Sequence, residues 1–319
     1  MLREKIASAA PGILTFGVTP PKASDPEEKA LARAKATLER VAPARIDGFV
    51  VYDIQDESSR TSEQRTFEYS QTRSPEDYWK NELGAAHPAI IYKVVGKYTR
   101  DDLSAFLGAL PRECATVFVG ASSSRESVRL RLKDAYALRR GFPEALLGGI
   151  CIPERHRRKG DEEYRIAAKC LQGCRFFVTQ AVYNTENAKR FLDDYAALNV
   201  PKVPVIFTLT PCGSAKTLEF MRWLGISVVP EYEREIMASP DPLSRSIDLC
   251  TDLFDFLYKY GLSLGIPVGA NVESISSRKV EQDGAAELLM RIRRIIDSYT
   301  PDDGRFNPEL SGSLASGIV

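Results

Sequence analysis

A single (β/α)8 barrel of the TIM-barrel class is the fold this sequence predicts, and three observations predict it. Short apolar runs alternate regularly with amphipathic stretches, giving eight strand–helix units in about 300 residues. The runs are rich in Val, Ile and Phe and mostly lack in/out alternation, as strands covered on both faces do. No G-x-G-x-x-G follows the first run, which disfavours the other arrangement considered, an open doubly wound sheet.

The predicted strands are Gly12–Val18, Ile46–Tyr52, Ala89–Val95, Ala115–Gly120, Leu146–Ile152, Arg175–Gln180, Val203–Leu209 and Leu262–Val268. The first helix, Glu27–Val41, places Leu31, Ala34, Leu38 and Val41 at helical spacing. Further helices are expected over Arg100–Leu107, Arg125–Arg140, Asp161–Leu171, Glu186–Leu198, Ser214–Trp223, Pro242–Tyr260 and Val280–Tyr299. The last of these aligns Leu288, Ile292 and Ile295. Two connections are long: Gln55–Leu83 after the second strand, and Gly225–Pro240, which reads as a short extra helix with a loop. Residues after Pro301 have the Gly, Ser, Pro and Asp content of a disordered tail, so one domain spans 1–300 and a tail 301–319.

Composition narrows the function classes. Among 319 residues, 43 Lys and Arg balance 43 Asp and Glu, with 44% hydrophobic and 27% charged residues. Neutral balance argues against a nucleic-acid partner, whose phosphates must be neutralised by excess cations. No apolar run is long enough to span a membrane, and Met1–Ala10 has no signal-peptide core, so a cytoplasmic protein is expected. The six scattered cysteines and two histidines have no metal-site spacing. Cys170 and Cys174 lie at a helix end leading into a strand, and no metal or redox role is expected of them.

Barrel sites form where strands end. After strand four, Gly120-Ala-Ser-Ser-Ser124 could bring backbone N–H groups and hydroxyls to a phosphate or ribose, or could be a plain loop whose Ser124 caps the next helix. After strand five, Pro153-Glu-Arg-His-Arg-Arg-Lys159 offers four cations and His156 to an anion, or is a solvated basic loop. His87, before Pro88, reads as structural. Gln180, ending strand six, presents a paired donor and acceptor to a heterocycle. Asp53, Asp56 and Glu57 after strand two, and Glu273 past strand eight, are the general acid or base candidates. The aromatic segment Phe67–Trp79 could be an interface between copies in a homo-oligomer, a lid, or packing under its own loop.

The order of these motifs resembles the catalytic barrel of the methylenetetrahydrofolate reductases, FAD-dependent enzymes that use a reduced nicotinamide. The likeness runs from Gly12 to Ser298. It rests on Thr15-Phe-Gly-Val-Thr-Pro-Pro-Lys22, Gly120, Pro153-Glu-Arg-His156, the spacing of Lys169 to Thr179-Gln180, Phe207-Thr-Leu-Thr-Pro211, and Val229-Pro230. The resemblance implies a flavin across the barrel top, held by Gly120, Ser122, Ile152, His156, Arg165 and Lys169, with a reduced folate stacked on it and hydrogen-bonded by Gln180. Thr19 falls at the substrate in the strand-one motif. The chain departs from the pattern at several places. Gly17 stands where the family has a catalytic glutamate, Ala121 where it has an aspartate, and Tyr92 where it has a flavin-contacting histidine. Thr217 and Met221 stand where it has a Gln and an aromatic that touch folate or nicotinamide, with Phe220 adjacent, and its strand-eight Tyr and Arg are replaced within Gly269–Glu273.

A general acid that opens the folate's imidazolidine ring contributes about 10²–10⁴-fold in rate. Gly17 cannot supply a proton. Either Asp53, Glu57 or Glu273 substitutes on the same rim, or the reaction differs. The expected function is therefore a divergent methylenetetrahydrofolate-reductase-like oxidoreductase binding a reduced folate and FAD, with NAD(P)H as donor. The alternatives are a folate-dependent one-carbon transferase or demethylase, and a non-catalytic folate- or flavin-binding homologue.

Overall fold

The computed structural model describes residues 2–58, 63–121 and 128–299. Ser122, the rest of the serine run and the predicted tail at 301–319 lie outside them. Eight parallel strands close into one barrel in the order β1-β2-β3-β4-β5-β6-β7-β8. They are β1 (Leu14–Val18), β2 (Gly48–Val51), β3 (Ala89–Val94), β4 (Ala115–Val119), β5 (Leu146–Cys151), β6 (Cys174–Ala181), β7 (Val205–Leu209) and β8 (Val268–Glu273). The predicted TIM barrel is the observed fold.

The helices α1 (Leu2–Ala7), α2 (Glu27–Val41), α3 (Pro75–Asp77), α4 (Arg100–Ala109), α5 (Leu132–Arg139) and α6 (Pro153–Lys159) belong to the first half. The second half carries α7 (Glu162–Leu171), α8 (Thr185–Ala197), α9 (Ala215–Trp223), α10 (Pro230–Ala238), α11 (Pro242–Ser263) and α12 (Lys279–Tyr299). None of the described helices is long and apolar enough to cross a membrane.

Two cores follow from strand alternation. Outward residues such as Phe49, Phe118, Phe177 and Phe207 meet the helices, among them Phe191, Phe254 and Ile292. Inward residues Ile13, Val50, Ile90, Val117, Leu146, Phe176, Val178 and Ile206 fill the barrel. Helix α1, which periodicity missed because it is only six residues long, inserts Leu2 and Ile6 into this inner cluster. Leu2 lies 3.1 Å from where a side chain on Gly48 would begin, at the start of β2, so α1 closes the N-terminal end and leaves the opposite end as the mouth.

Three expectations are corrected. Strand eight is Val268–Glu273, not Leu262–Val268: α11 continues to Ser263, and Gly265 turns the chain at φ +71° before the strand begins. Its polar, small-residue sequence hid it, and Glu273 therefore lies in the strand rather than beyond it. The basic stretch Pro153–Lys159 is a helix, with Pro153 in its first turn and Gly160 in the left-handed region behind it. On α2 the buried residues are Ala30, Ala34 and Val41, while Leu31 is exposed.

Candidate active site at the barrel mouth

On the β1–β2 and β6–β8 side the inward side chains nearest the mouth are polar, and β8 supplies two of them. Barrel closure sets β8 beside β1 with Asn271 opposite Thr15 and Glu273 opposite Gly17. Thr15 Oγ1 donates to Asn271 Oδ1 at 3.0 Å, and Asn271 Nδ2 donates to Tyr52 Oη at 2.9 Å. The Tyr52 hydroxyl in turn donates to the Glu273 carboxylate. Each donor thus feeds the next acceptor from the barrel interior up to Glu273. Asn271 Nδ2 also reaches Thr208 Oγ1 at 3.3 Å. Tyr52 meets Tyr92 edge-on, with ring centroids 5.0 Å apart at 87°.

Burial sets the chemistry of this group. Glu273 keeps some contact with solvent, yet protein crowds its carboxyl and pushes its pKa up to about 7, against a smaller lowering by the Tyr52 hydrogen bond. Burial also raises the phenols of Tyr52 and Tyr92 well above their ordinary value, and the Glu273 charge adds to both shifts. Gly17 has a steric reason to be glycine. A Cβ there would sit 2.9 Å from Glu273 Cβ and 3.0 Å from Tyr52 Cε2 and Oη. The space where a strand-one side chain would begin is taken by the neighbouring Glu273 and Tyr52.

The other acid candidates are placed differently. Asp53 is buried and accepts from Val94 N–H at 2.8 Å, Tyr98 Oη at 2.9 Å and Lys97 Nζ, so its oxygens tie β2 to β3. This corrects its assignment as a substitute acid. Asp56 is exposed and held by Ser58, whose hydrogen bonds lower its pKa. Glu57 is half-buried in the segment after β2 and has interactions of its own.

Gln180 lies near the end of β6, two residues past the inward Val178, where the pairing with β7 shifts register. Its Nε2 donates to Leu224 O at 2.7 Å, and its Oε1 has no partner among the described residues. Leu224 ends α9, whose Phe220 and Trp223 stack at 5.9 Å. The segment after β2 reaches this helix. Trp223 Nε1 donates to Glu63 O at 3.2 Å, and Phe67 packs edge-on against Phe220 at 5.0 Å. The same segment pairs with the loop leaving β1 through Lys22 and Thr72. It thereby spans the β1–β8 side of the mouth. Of the aromatic stretch Phe67–Trp79, Phe67 serves this crossing, while Tyr78 and Trp79 are buried in the helix layer, where Trp79 Nε1 donates to His87 O at 2.8 Å.

The expectation that Gly120, His156, Lys169 and Gln180 share one mouth is not met. His156 is buried between α7 and α8, 2.9 Å from Glu163 and 2.8 Å from Asp194, with Phe191 against its ring. Lys169 runs behind the barrel wall, donating to Ile150 O over the outward Phe177, and burial lowers its pKa. Arg165 pairs with Asp161 one turn away at 3.0 Å, and the Ile152 N–H is taken by Glu162 at 3.0 Å. Gly120 lies at the end of β4, where Gln55 Nε2 reaches its carbonyl at 3.4 Å, and Ala121 beside it is exposed. His156, Lys169, Arg165 and the Ile152 N–H do not fit a flavin cradle, because their polar groups already have protein partners. Tyr92 lies inside the barrel against Tyr52. Thr19 is exposed just past β1. On α9, Thr217 Oγ1 donates to Glu281 at 2.7 Å and Met221 is buried, which leaves Phe220 as the residue of the three that meets the crossing segment. Among the described residues, no cluster of His, Cys, Asp and Glu could hold a metal ion, and all six cysteines are free.

A solved relative shares this barrel. An uncharacterised protein from Clostridium thermocellum, which binds two copies of 5-methyl-5,6,7,8-tetrahydrofolic acid, is 43% identical, with a TM-score of 0.82. The alignment covers 92% of this chain and 100% of that one. The chain belongs to the family of that protein. A 2,3-dimethylmalate lyase of the PEP mutase/isocitrate lyase superfamily aligns over 97% of this chain and 91% of its own, at 12% identity and a TM-score of 0.45, too weak a likeness to bear on function. No protein-family model and no curated protein sequence matches the chain.

Proposed function

We propose that this protein is a reduced-folate enzyme of one-carbon metabolism that reduces a methylene-bridged folate with NAD(P)H, without a flavin, using Glu273 as its acid. The observation that carries the proposal is Glu273 in register with Gly17, its carboxyl poised at about 7. An acid titrating near the working pH is protonated often enough to donate and weak enough to be reloaded. Protonated Glu273 gives its proton to a ring nitrogen of the imidazolidine. The adjacent carbon–nitrogen bond breaks with its electron pair left on that nitrogen, and the iminium carbon accepts hydride from NAD(P)H to become the methyl group. The relay from Thr15 through Asn271 and Tyr52 orients the carboxyl for this transfer. Gln180 offers Oε1 to the pterin's polar edge.

Two further points support the reading. The relative binds the methylated folate that such a reduction produces. Three of the residues expected to grip a flavin, His156, Lys169 and Arg165, are engaged with protein partners instead. The same bound folate also favours a second reading, one-carbon transfer to or from the folate nitrogen on the same barrel. One experiment separates the two. Purified protein is given methylenetetrahydrofolate and NAD(P)H with no added flavin. Nicotinamide oxidation that is lost in Glu273→Gln is the expected result. Folate binding with no nicotinamide consumption, but with one-carbon exchange to a second substrate, would replace reduction by transfer. Absence of any reduced-folate binding would overturn both.

A further inference from the structure

We infer that Arg65 receives a carboxylate of the ligand, making the wall between the crossing segment and α9 a site for an aromatic acid such as the benzoylglutamate end of a folate. The inference rests on the folate reading and names a specificity-determining residue for it. The Arg65 guanidinium carbon lies 5.0 Å from the Trp223 ring centroid, 5.5 Å from Tyr69 and 5.6 Å from Phe220. Aromatic faces attract the cation but accept no directed hydrogen bonds of carboxylate strength. Arg65 Nε and Nη1 are buried and have no acceptor among the described residues. Three other half-buried arginines have a carboxylate, Arg73 with Glu82 at 2.7 Å, Arg155 with Glu162 at 3.4 Å and Arg293 with Asp297 at 2.7 Å, and Arg139 donates to the Ala145 carbonyl at 2.9 Å.

The Arg65 charge helps to lower the pKa of Asp56, but Asp56 Oδ1 is occupied by Ser58. A planar guanidinium with unfilled donors suits a planar carboxylate, and the rings that hold it suit a benzoyl group. A second cation stands on the same wall, with Lys216 Nζ 5.0 Å from the Phe67 ring, which packs on Phe220. The wall is continuous with the mouth, because Leu224, next to Trp223, holds Gln180. A folate with its pterin at Gln180 and Glu273 would therefore extend its acidic tail along α9 toward Arg65.

The test compares two ligands on wild type, Arg65→Met and Arg65→Gln: tetrahydrofolate, and 6-methyltetrahydropterin, which lacks the tail. Wild type should prefer tetrahydrofolate. Both variants should lose about 10- to 100-fold in tetrahydrofolate affinity, the fold-change for removing a hydrogen bond to a charged group. Their unchanged affinity for the tail-less pterin would show that the mouth is intact. Equal wild-type affinity for the two ligands, or a preference that survives in the variants, overturns the inference. Should neither pterin bind wild type, the folate reading fails and p-aminobenzoylglutamate alone decides on Arg65. Binding to wild type that both variants lose upholds the carboxylate site, and no binding overturns it.

Discussion

Replacing Glu273 by Gln should make the protein more stable above neutral pH. The carboxyl is raised from the ordinary 4.5 to about 7 by burial. The folded state thus binds its proton more tightly than the unfolded chain does. Below about pH 4.5 both states are protonated and the residue contributes no pH dependence. As pH rises toward about 7 the unfolded chain ionises first, and the wild type loses stability until the folded carboxyl has ionised as well. At about 1.4 kcal/mol per pH unit the displacement is worth about 3 kcal/mol, and the solvent contact of Glu273 brings the expected loss to about 2–3 kcal/mol. Glutamine keeps the acceptor for Tyr52 and carries no charge, so Glu273→Gln should not show this loss. The assay is urea unfolding of both proteins at steps from pH 4.5 to 8, reading the difference between the two free energies. Curves that stay parallel, or a wild type that gains on the variant as pH rises, would refute the placement of an uncompensated carboxyl at the mouth.

Three other substitutions probe the same architecture. Gly17→Ala drives a methyl group to 2.9 Å from Glu273 Cβ and 3.0 Å from Tyr52, so it should cost about 1–3 kcal/mol and shift the pH midpoint of any Glu273-dependent activity, as read by denaturation and a pH–rate profile. Asp53→Ala strands the Val94 N–H and the Tyr98 hydroxyl and releases Lys97; a loss of about 2–4 kcal/mol in unfolding free energy with folate affinity unchanged is expected, and a selective loss of turnover in a stable variant would restore Asp53 as a catalytic acid. Gln180→Ala should weaken reduced-folate binding about tenfold in a calorimetric titration, with a small stability loss from the bond to Leu224, and undiminished affinity would remove Gln180 from the site.

Periodicity made the barrel legible. Helix α2 begins and ends where its pattern does, at Glu27 and Val41, because helix-layer contacts are apolar and repeat regularly. Legibility failed where polar residues are buried. Strand β8 reads Val-Gly-Ala-Asn-Val-Glu, and its inward positions are filled by the hydrogen-bonded Asn271 and Glu273 rather than by Leu or Ile. Helix α6 looked like a solvated loop because its buried face uses the polar Glu154 and His156, the latter set between Glu163 on α7 and Asp194 on α8. Gln180 was visible as a polar residue ending an apolar strand. Arg65 was visible only as one charge in a long connection, since its aromatic surroundings come largely from α9.

By itself, then, the sequence determined the eightfold strand–helix alternation, though not α1, α6 or the bounds of β8, and with it the end of the barrel where chemistry could occur, because hydrophobic spacing is a local property of the chain. Tertiary structure alone decided which charges face that opening. His156 lies a few residues past the end of β5 and Lys169 on α7, yet both turn into the helix layer and away from the mouth, a matter of side-chain direction that spacing does not encode. Gly17 and Glu273 lie at opposite ends of the sequence and become neighbours only when β8 closes onto β1. That closure withdraws the Glu273 carboxyl from water and leaves no room for a side chain at Gly17.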